Sequence, residues 1–257
     1  MYKRQALYSY STANYNVGIG AQALYSTTTG SNNIAIGYQA GDANTTASNN
    51  TSIGYQSLTT NTTGSSNTAV GQSTLSTNST GSSNTAIGRQ ALLANSTASE
   101  NTAVGYQALY ANTTGYGNTA IGVKAMDANT VGDRNVAVGA DALGSMNPDS
   151  NADTYNTAVG YQAGKAVTTG INNTLVGGLA GDATTTGNGN SSLGYNSLGV
   201  NTTGANNSAL GFGSLDTNTT GQGNTASGYG SLGSNTTASF GGAFGFNALT
   251  NNTTGAD

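Results

Sequence analysis

The chain has 257 residues, of which only 6% are charged, with ten Asp and Glu against six Lys and Arg and a net charge of −4. That balance offers no cluster of cations to neutralise phosphates, which excludes nucleic acid as the partner, and no apolar run approaches the roughly 18 residues that span a membrane. Cys, His and Trp are absent, so no nucleophile–base set, no cofactor site and no His/Cys metal site is expected.

In chain order, the first five residues stand apart. Met1-Tyr2-Lys3-Arg4-Gln5 reads as the translation of ATG TAT AAG AGA CAG, the end of a common transposase sequencing adapter. Lys3 falls where later repeats place Gly, and Tyr2 falls where nearly all place an aliphatic residue. Residues 1–5 are therefore expected to be an adapter artefact on an environmental sequence. Residues 6–257 are expected to form a single repeat domain cut from a longer chain.

From Ala6 onward the pattern is periodic. Glycine recurs every 17 residues through Gly20, Gly37, Gly54, Gly71, Gly88, Gly105, Gly122 and Gly139, then again from Gly160 through Gly177, Gly194, Gly211, Gly228 and Gly245. A fixed period means stacked coils that each contact only their neighbours. The expected fold is all-β, a parallel β-roll or β-solenoid of about fifteen 17-residue coils.

Each coil is read by columns. The strand starts at Asn, as at Asn67, Asn84, Asn101 and Asn118, and ends at the glycines Gly71, Gly88, Gly105 and Gly122. Identical amides stacked at strand spacing can hydrogen-bond along the axis as a structural ladder. The residue before the glycine is β-branched in most coils, as in Ile87, Val104 and Ile121, which predicts a strand position facing a core. Leu follows four residues after the glycine, as in Leu75, Leu92 and Leu109, with interruptions at Gly41, Gly164 and Gly181. These two columns are an odd number apart, so a flat strand would send them to opposite faces. A bend at Gly-Tyr-Gln would turn both inward, which predicts two short strands per coil. Between them an aromatic column carries Tyr38, Tyr55, Tyr106, Tyr161, Tyr195, Tyr229, Phe212 and Phe246. It reads as rings stacked over the bend or, alternatively, as a sugar-binding or self-association stripe.

A second turn follows at Asn-Thr-Thr-Gly, where glycines such as Gly64, Gly81 and Gly115 are expected to take positive φ. This turn repeats the N-glycosylation acceptor pattern at Asn44, Asn61, Asn78, Asn95, Asn112, Asn201, Asn218, Asn235 and Asn252. Those nine are candidate modification sites on an exposed turn.

The single break in the period is a four-residue insertion within residues 144–155, which holds Pro148, Asp149 and Asp153. It reads as a surface loop. Asp42, Asp127, Asp182 and Asp216 share a column but never sit in adjacent coils, so they form no calcium ladder.

Asn-Thr-Ala-Ile-Gly, at Asn84–Gly88 and Asn118–Gly122, resembles the repeat core of the head domains of trimeric autotransporter adhesins. Similar repeats occur in phage tail-fibre-like proteins. The resemblance covers nearly the whole chain on a short motif. It implies a left-handed β-roll, three chains about one axis and a role in surface attachment. The coil here is somewhat longer than is usual in those heads, and the sequence shows no coiled-coil stalk or membrane anchor.

The expected function is a structural and adhesive extracellular fibre segment without enzymatic activity. Its expected partners are copies of itself and a host-surface glycan or protein receptor. The alternative is a single-chain solenoid that stacks end to end into a filament, glycosylated at the turns. A lesser alternative is ice binding through stacked Thr, which the turn Thr residues serve poorly because they adjoin a glycine and do not alternate along a strand.

Overall fold

The computed structural model describes residues 5–9 and 11–255. Residues 1–4, on which most of the adapter reading rests, lie outside that set. The chain divides into two compact units, Met1–Val131 and Gly132–Asp257.

The first unit carries β1 (Val17–Ile19), β2 (Ile34–Ile36), β3 (Thr51–Ile53), β4 (Thr68–Val70), β5 (Thr85–Ile87), β6 (Thr102–Val104) and β7 (Thr119–Ile121). They pair parallel in chain order, each residue opposite the equivalent residue of the next coil. The second unit carries β8 (Gly132–Asp133), β9 (Val136–Val138), β10 (Ala152–Asp153), β11 (Thr157–Val159), β12 (Thr174–Val176), β13 (Ser191–Leu193), β14 (Ser208–Leu210), β15 (Thr225–Ser227) and β16 (Gly242–Phe244). Here β9 and β11 to β16 pair parallel in order, while β8 and β10 form a separate parallel pair. The described residues contain no helix. The fold is an all-β parallel solenoid with coils of about 17 residues, as the period requires.

Three expectations about the coil need correction. The first is the second strand. Apart from the two-residue pair β8–β10, each coil has one regular strand, because the segment after the glycine alternates into the left-handed region, with Gln107 at φ 55° and Leu109 at φ 50°. Such dihedrals lie outside the β region. The segment still bonds coil to coil: the Leu109 amide donates to Ala125 O at 3.0 Å, Ala111 to Asp127 O at 3.1 Å and Thr113 to Thr130 O at 2.8 Å. Backbone polar groups are thus satisfied along the turns without strand geometry.

The second concerns the aliphatic column, which faces outward. In a three-residue strand the first and third side chains share one face and the middle one takes the other. The middle residue is the buried one, as in Ala69, Ala86, Ala103 and Ala120. Those small side chains face the buried Leu column across a narrow interior, which leaves no room for Ile or Val. Two of the three interruptions of the Leu column, Gly164 and Gly181, show this pairing. Leu175 takes the middle strand position, and its methyls lie 2.8 Å and 2.7 Å from where a Cβ on Gly181 or Gly164 would stand. One large residue from the strand therefore replaces two from the opposite wall.

The third is the Asn-Thr-Thr-Gly turn. Gly64, Gly81 and Gly204 do not take positive φ; their constraint is crowding, since a Cβ on Gly64 would lie 2.2 Å from Gly81 O and 2.5 Å from Asn61 Oδ1. The left-handed residue at this corner instead precedes the strand Asn, as in Ser66, Ser83 and Glu100.

Candidate interaction surface

The outward sheet face follows from the strand triplet. In the first unit it presents Thr51, Thr68, Thr85, Thr102 and Thr119 in one row and Ile53, Val70, Ile87, Val104 and Ile121 in the other. Neither row contains a charged residue. Ile87 is 41% exposed and Ile121 40%, which is unusual for side chains that contribute most when removed from water. In the second unit the same face forms a groove of about 500 Å³, with Val176, Leu193, Leu210, Ser227 and Phe244 in one row, apolar except at Ser227, and Thr174, Ser191, Ser208 and Thr225 in the other. Leu193 there is 51% exposed. A charge-free, largely apolar stripe of this kind is a candidate interaction surface.

Two amide ladders lie behind this face. In the strand-start ladder the Asn101 amide donates to Asn84 Oδ1 at 3.0 Å and the Asn118 amide to Asn101 Oδ1 at 2.9 Å. Each side-chain amide then reaches the turn carbonyl of the next coil, as Asn84 Nδ2 does to Ala98 O at 2.9 Å. Asn67, Asn84, Asn101 and Asn118 are fully buried, and the strands they open end at Gly71, Gly88, Gly105 and Gly122, whose φ values run from 128° to 138°.

The second ladder is built from the candidate glycosylation residues. Asn44, Asn61, Asn78, Asn95, Asn112, Asn201, Asn218 and Asn235 are at most 2% exposed. Asn78 Nδ2 donates to Asn61 Oδ1 at 2.8 Å and to Gly81 O at 2.9 Å, and Asn95 and Asn112 repeat the pattern. Asn252 is half-buried, with Nδ2 at 3.3 Å from Gly255 O. The turn is thus exposed at Thr63, Thr80 and Thr97 but not at Asn. A glycan on any of the eight buried Nδ2 atoms would displace one or two interior hydrogen bonds, so the folded coil offers no accessible acceptor there. The acceptor pattern in the sequence carried no sign of this, because an outward and an inward Asn look identical in a turn.

The aromatic column stacks. Tyr38 lies over Tyr55 at 5.5 Å between ring centroids. In the second unit Tyr195, Phe212, Tyr229 and Phe246 follow one another at 5.4, 5.1 and 5.2 Å, tilted by 19° or less. Neighbouring rings cover the faces of Phe212 and Tyr229, so their edges are left to meet a partner. Tyr106 instead has the Arg89 guanidinium 5.7 Å from its centroid.

The insertion is anchored. Its strand β10 pairs with β8, Arg134 forms an ion pair with Asp153, and the Tyr155 hydroxyl donates to Asp153 Oδ2 at 3.0 Å. Met146 and Thr154 are fully buried, and the Thr154 amide and hydroxyl both donate to Asp133 O, at 3.2 and 3.0 Å. Burial, and then the charge of Asp153, raise the Asp133 carboxyl to about 6. The folded state therefore binds this proton more tightly than the unfolded chain does. The stabilisation is present at acid pH and is lost as pH rises from about 4 to about 6. Hydrogen exchange of the Thr154 amide, corrected for intrinsic rate, is expected to show greater protection at pH 4.5 than at pH 6.5. Asp133→Asn is expected to flatten that difference.

Among the described residues no group of three His, Cys, Asp or Glu side chains could hold a metal ion. Among the same residues no helix is long and apolar enough to cross a membrane. A scan against protein-family models gives no match, and a comparison with curated proteins also gives none.

Proposed function

We propose that this chain is a structural, non-catalytic segment of an extracellular adhesive fibre, which assembles as a homotrimer through the outward sheet face. One observation carries the assembly reading: an uncharged row of Ile, Val and Leu left in water along the sheet of each unit. Covering a half-exposed aliphatic side chain contributes about 1–2 kcal/mol. Of the seven row residues in the first unit, Ile19, Ile87 and Ile121 are that exposed and the other four less so, so the row supplies on the order of 5 kcal/mol, at the lower end of the cost of association. The parallel register repeats the same two rows at every coil, so copies can meet coil for coil. The adhesive role and the extracellular setting rest on the likeness of the Asn-Thr-Ala-Ile-Gly repeat to adhesin heads.

The test is sedimentation equilibrium over a hundredfold range of concentration, with Ile87→Lys/Ile121→Lys as the comparison. The wild-type chain is expected to hold the mass of a trimer throughout. The double variant, altered only where side chains face outward, is expected to fall to a monomer with an unchanged far-UV spectrum. A wild-type monomer would contradict the reading.

The structure also supplies an observation that favours the ice-binding alternative. The strand Thr residues Thr51 to Thr119 stand in register beside an aliphatic row, unlike the turn Thr residues. A monomer that shapes growing ice would favour that reading over assembly.

A further inference from the structure

The second unit contains a recess that the repeat would normally fill. Two residues after the repeat glycine six of the fourteen coils place Gln, the commonest residue there, and neighbouring amides bond along the axis, as Gln56 Nε2 does to Gln39 Oε1 at 2.9 Å. Gly213 and Gly230 replace it in consecutive coils, and Gly233 removes a further side chain. The result is a cavity of about 320 Å³ walled by Phe212, Tyr229 and Asp216. The φ angles of Gly213 and Gly230 do not require glycine, although a Cβ on Gly230 would need the Asn247 side chain, 2.5 Å away, to move. Gly213 and Gly230 have φ of 60° and 59°, while Gln39 and Gln56 hold 54° and 52° at the same position. A Cβ on Gly213 would meet nothing nearer than Asp216 Oδ2 at 3.8 Å.

The chemistry of the recess centres on Asp216. In the same column Asp42 receives Gln39 Nε2 at 3.4 Å, and Asp182 feels the charge of Lys165. Asp216 has lost the equivalent amide to Gly213, and the ion pairs among the described residues involve Asp141 and Asp153 instead. Its two oxygens lie 3.6 Å and 3.8 Å from the Cβ positions of Gly233 and Gly213, so the carboxylate faces the vacated space. Burial raises its pKa, offset only by backbone hydrogen bonds. A partly desolvated acceptor without a side-chain donor is completed by a ligand that brings donors.

The walls select among such ligands. An ammonium group gains most over the face of an aromatic ring. Here the faces of Phe212 and Tyr229 are covered at 5.1 to 5.4 Å by neighbouring rings, and the exposed ring edges carry positive potential. Those edges suit hydroxyl oxygens. The volume lies at the lower end of the range for small-molecule sites, which suits one or two sugar rings.

We propose that this recess binds a neutral saccharide, whose hydroxyls donate to Asp216 while its ring packs against the edges of Phe212 and Tyr229. The inference rests on the adhesive part of the proposed function and not on assembly.

Saturation-transfer NMR with millimolar glucose, galactose and N-acetylglucosamine, together with a glycan array, tests it on the full chain. The wild type is expected to bind a neutral glycan. Gly213→Gln restores the side chain that other coils carry and gives Asp216 an amide partner, so a loss of affinity of at least tenfold is expected. Asp216→Asn is expected to lose several-fold. Both variants are expected to keep the wild-type spectrum, melting temperature and solution mass. Absence of saccharide binding by the wild type, equal binding by Gly213→Gln, or binding of choline and lysine in place of sugars would each overturn the proposal. A chain that keeps its trimer mass but binds no sugar sinks this inference alone. A monomer that still binds sugar sinks the assembly reading alone.

Discussion

Gly105→Ala is expected to cost more than about 4 kcal/mol and to lower the melting temperature of the first unit by more than about 10 °C. Two penalties combine. Gly105 sits at φ 138°, where an L side chain is strained, and its Cβ would lie 2.4 Å from Gly122 O and 2.7 Å from Gly122 C. Those neighbours are backbone of the next coil, so relief requires the coils to part, and in a stacked array each interface is a separate share of the stability. Gly81→Ala provides the contrast. Its Cβ would also be crowded, at 2.1 Å from Ala98 O, but its φ is not positive and the chain itself places Ala47, Ala98 and Ala238 at this position. The turn can therefore shift to admit a methyl, and a loss of about 1–2 kcal/mol is expected. Calorimetry of the two variants checks the difference; equal losses would mean that crowding alone, and not φ, sets the constraint.

Asn84→Leu is expected to destabilise the first unit by about 3–5 kcal/mol, because it strands several buried partners at once. Asn84 Oδ1 accepts the Asn101 amide, and its Nδ2 donates to Ala98 O and to Asn67 Oδ1, at 3.0, 2.9 and 3.1 Å. All four residues are buried. Asn84→Asp keeps the acceptor but places a carboxylate beside two acceptors it cannot satisfy. Its stability is expected to be lowest at neutral pH and to recover as the carboxyl protonates. Denaturant unfolding at pH 4 and pH 7 measures both. A Leu variant as stable as the wild type would show that the ladder contributes packing rather than hydrogen bonding.

The period made the coil legible. A glycine repeated at one spacing has few explanations, and the parallel register follows from it. The direction of each column was harder to read. Ile87 and Leu92 are both apolar, and over a three-residue strand periodicity cannot say which faces inward. The deciding signal lay in size: the middle strand position is Ala or Ser in most coils, and where it becomes Leu175 the opposite wall becomes Gly164 and Gly181. Ser52 and Ser57 carry the same message, since they appear together in one coil and bond across the interior at 2.6 Å. The Asn-Thr-Thr turns misled for a related reason. Hydrophilic Asn in a turn suggests exposure, but stacked copies can satisfy one another, and Asn78 and Asn95 do so in the interior. The recess beside Asp216 was visible only as a missing Gln, and its meaning depended on knowing where Gln39 points.

The outward aliphatic row is the proposed place where copies of the chain meet. The sequence has no Cys, so single cysteines report proximity cleanly. Ile87→Cys, in that row, is expected to form disulfide-linked dimers rapidly under mild oxidation. Thr97→Cys, on the exposed turn, is expected to remain monomeric on denaturing gels. Cross-linking at Thr97 without cross-linking at Ile87 would contradict the assignment of the sheet face as the assembly surface.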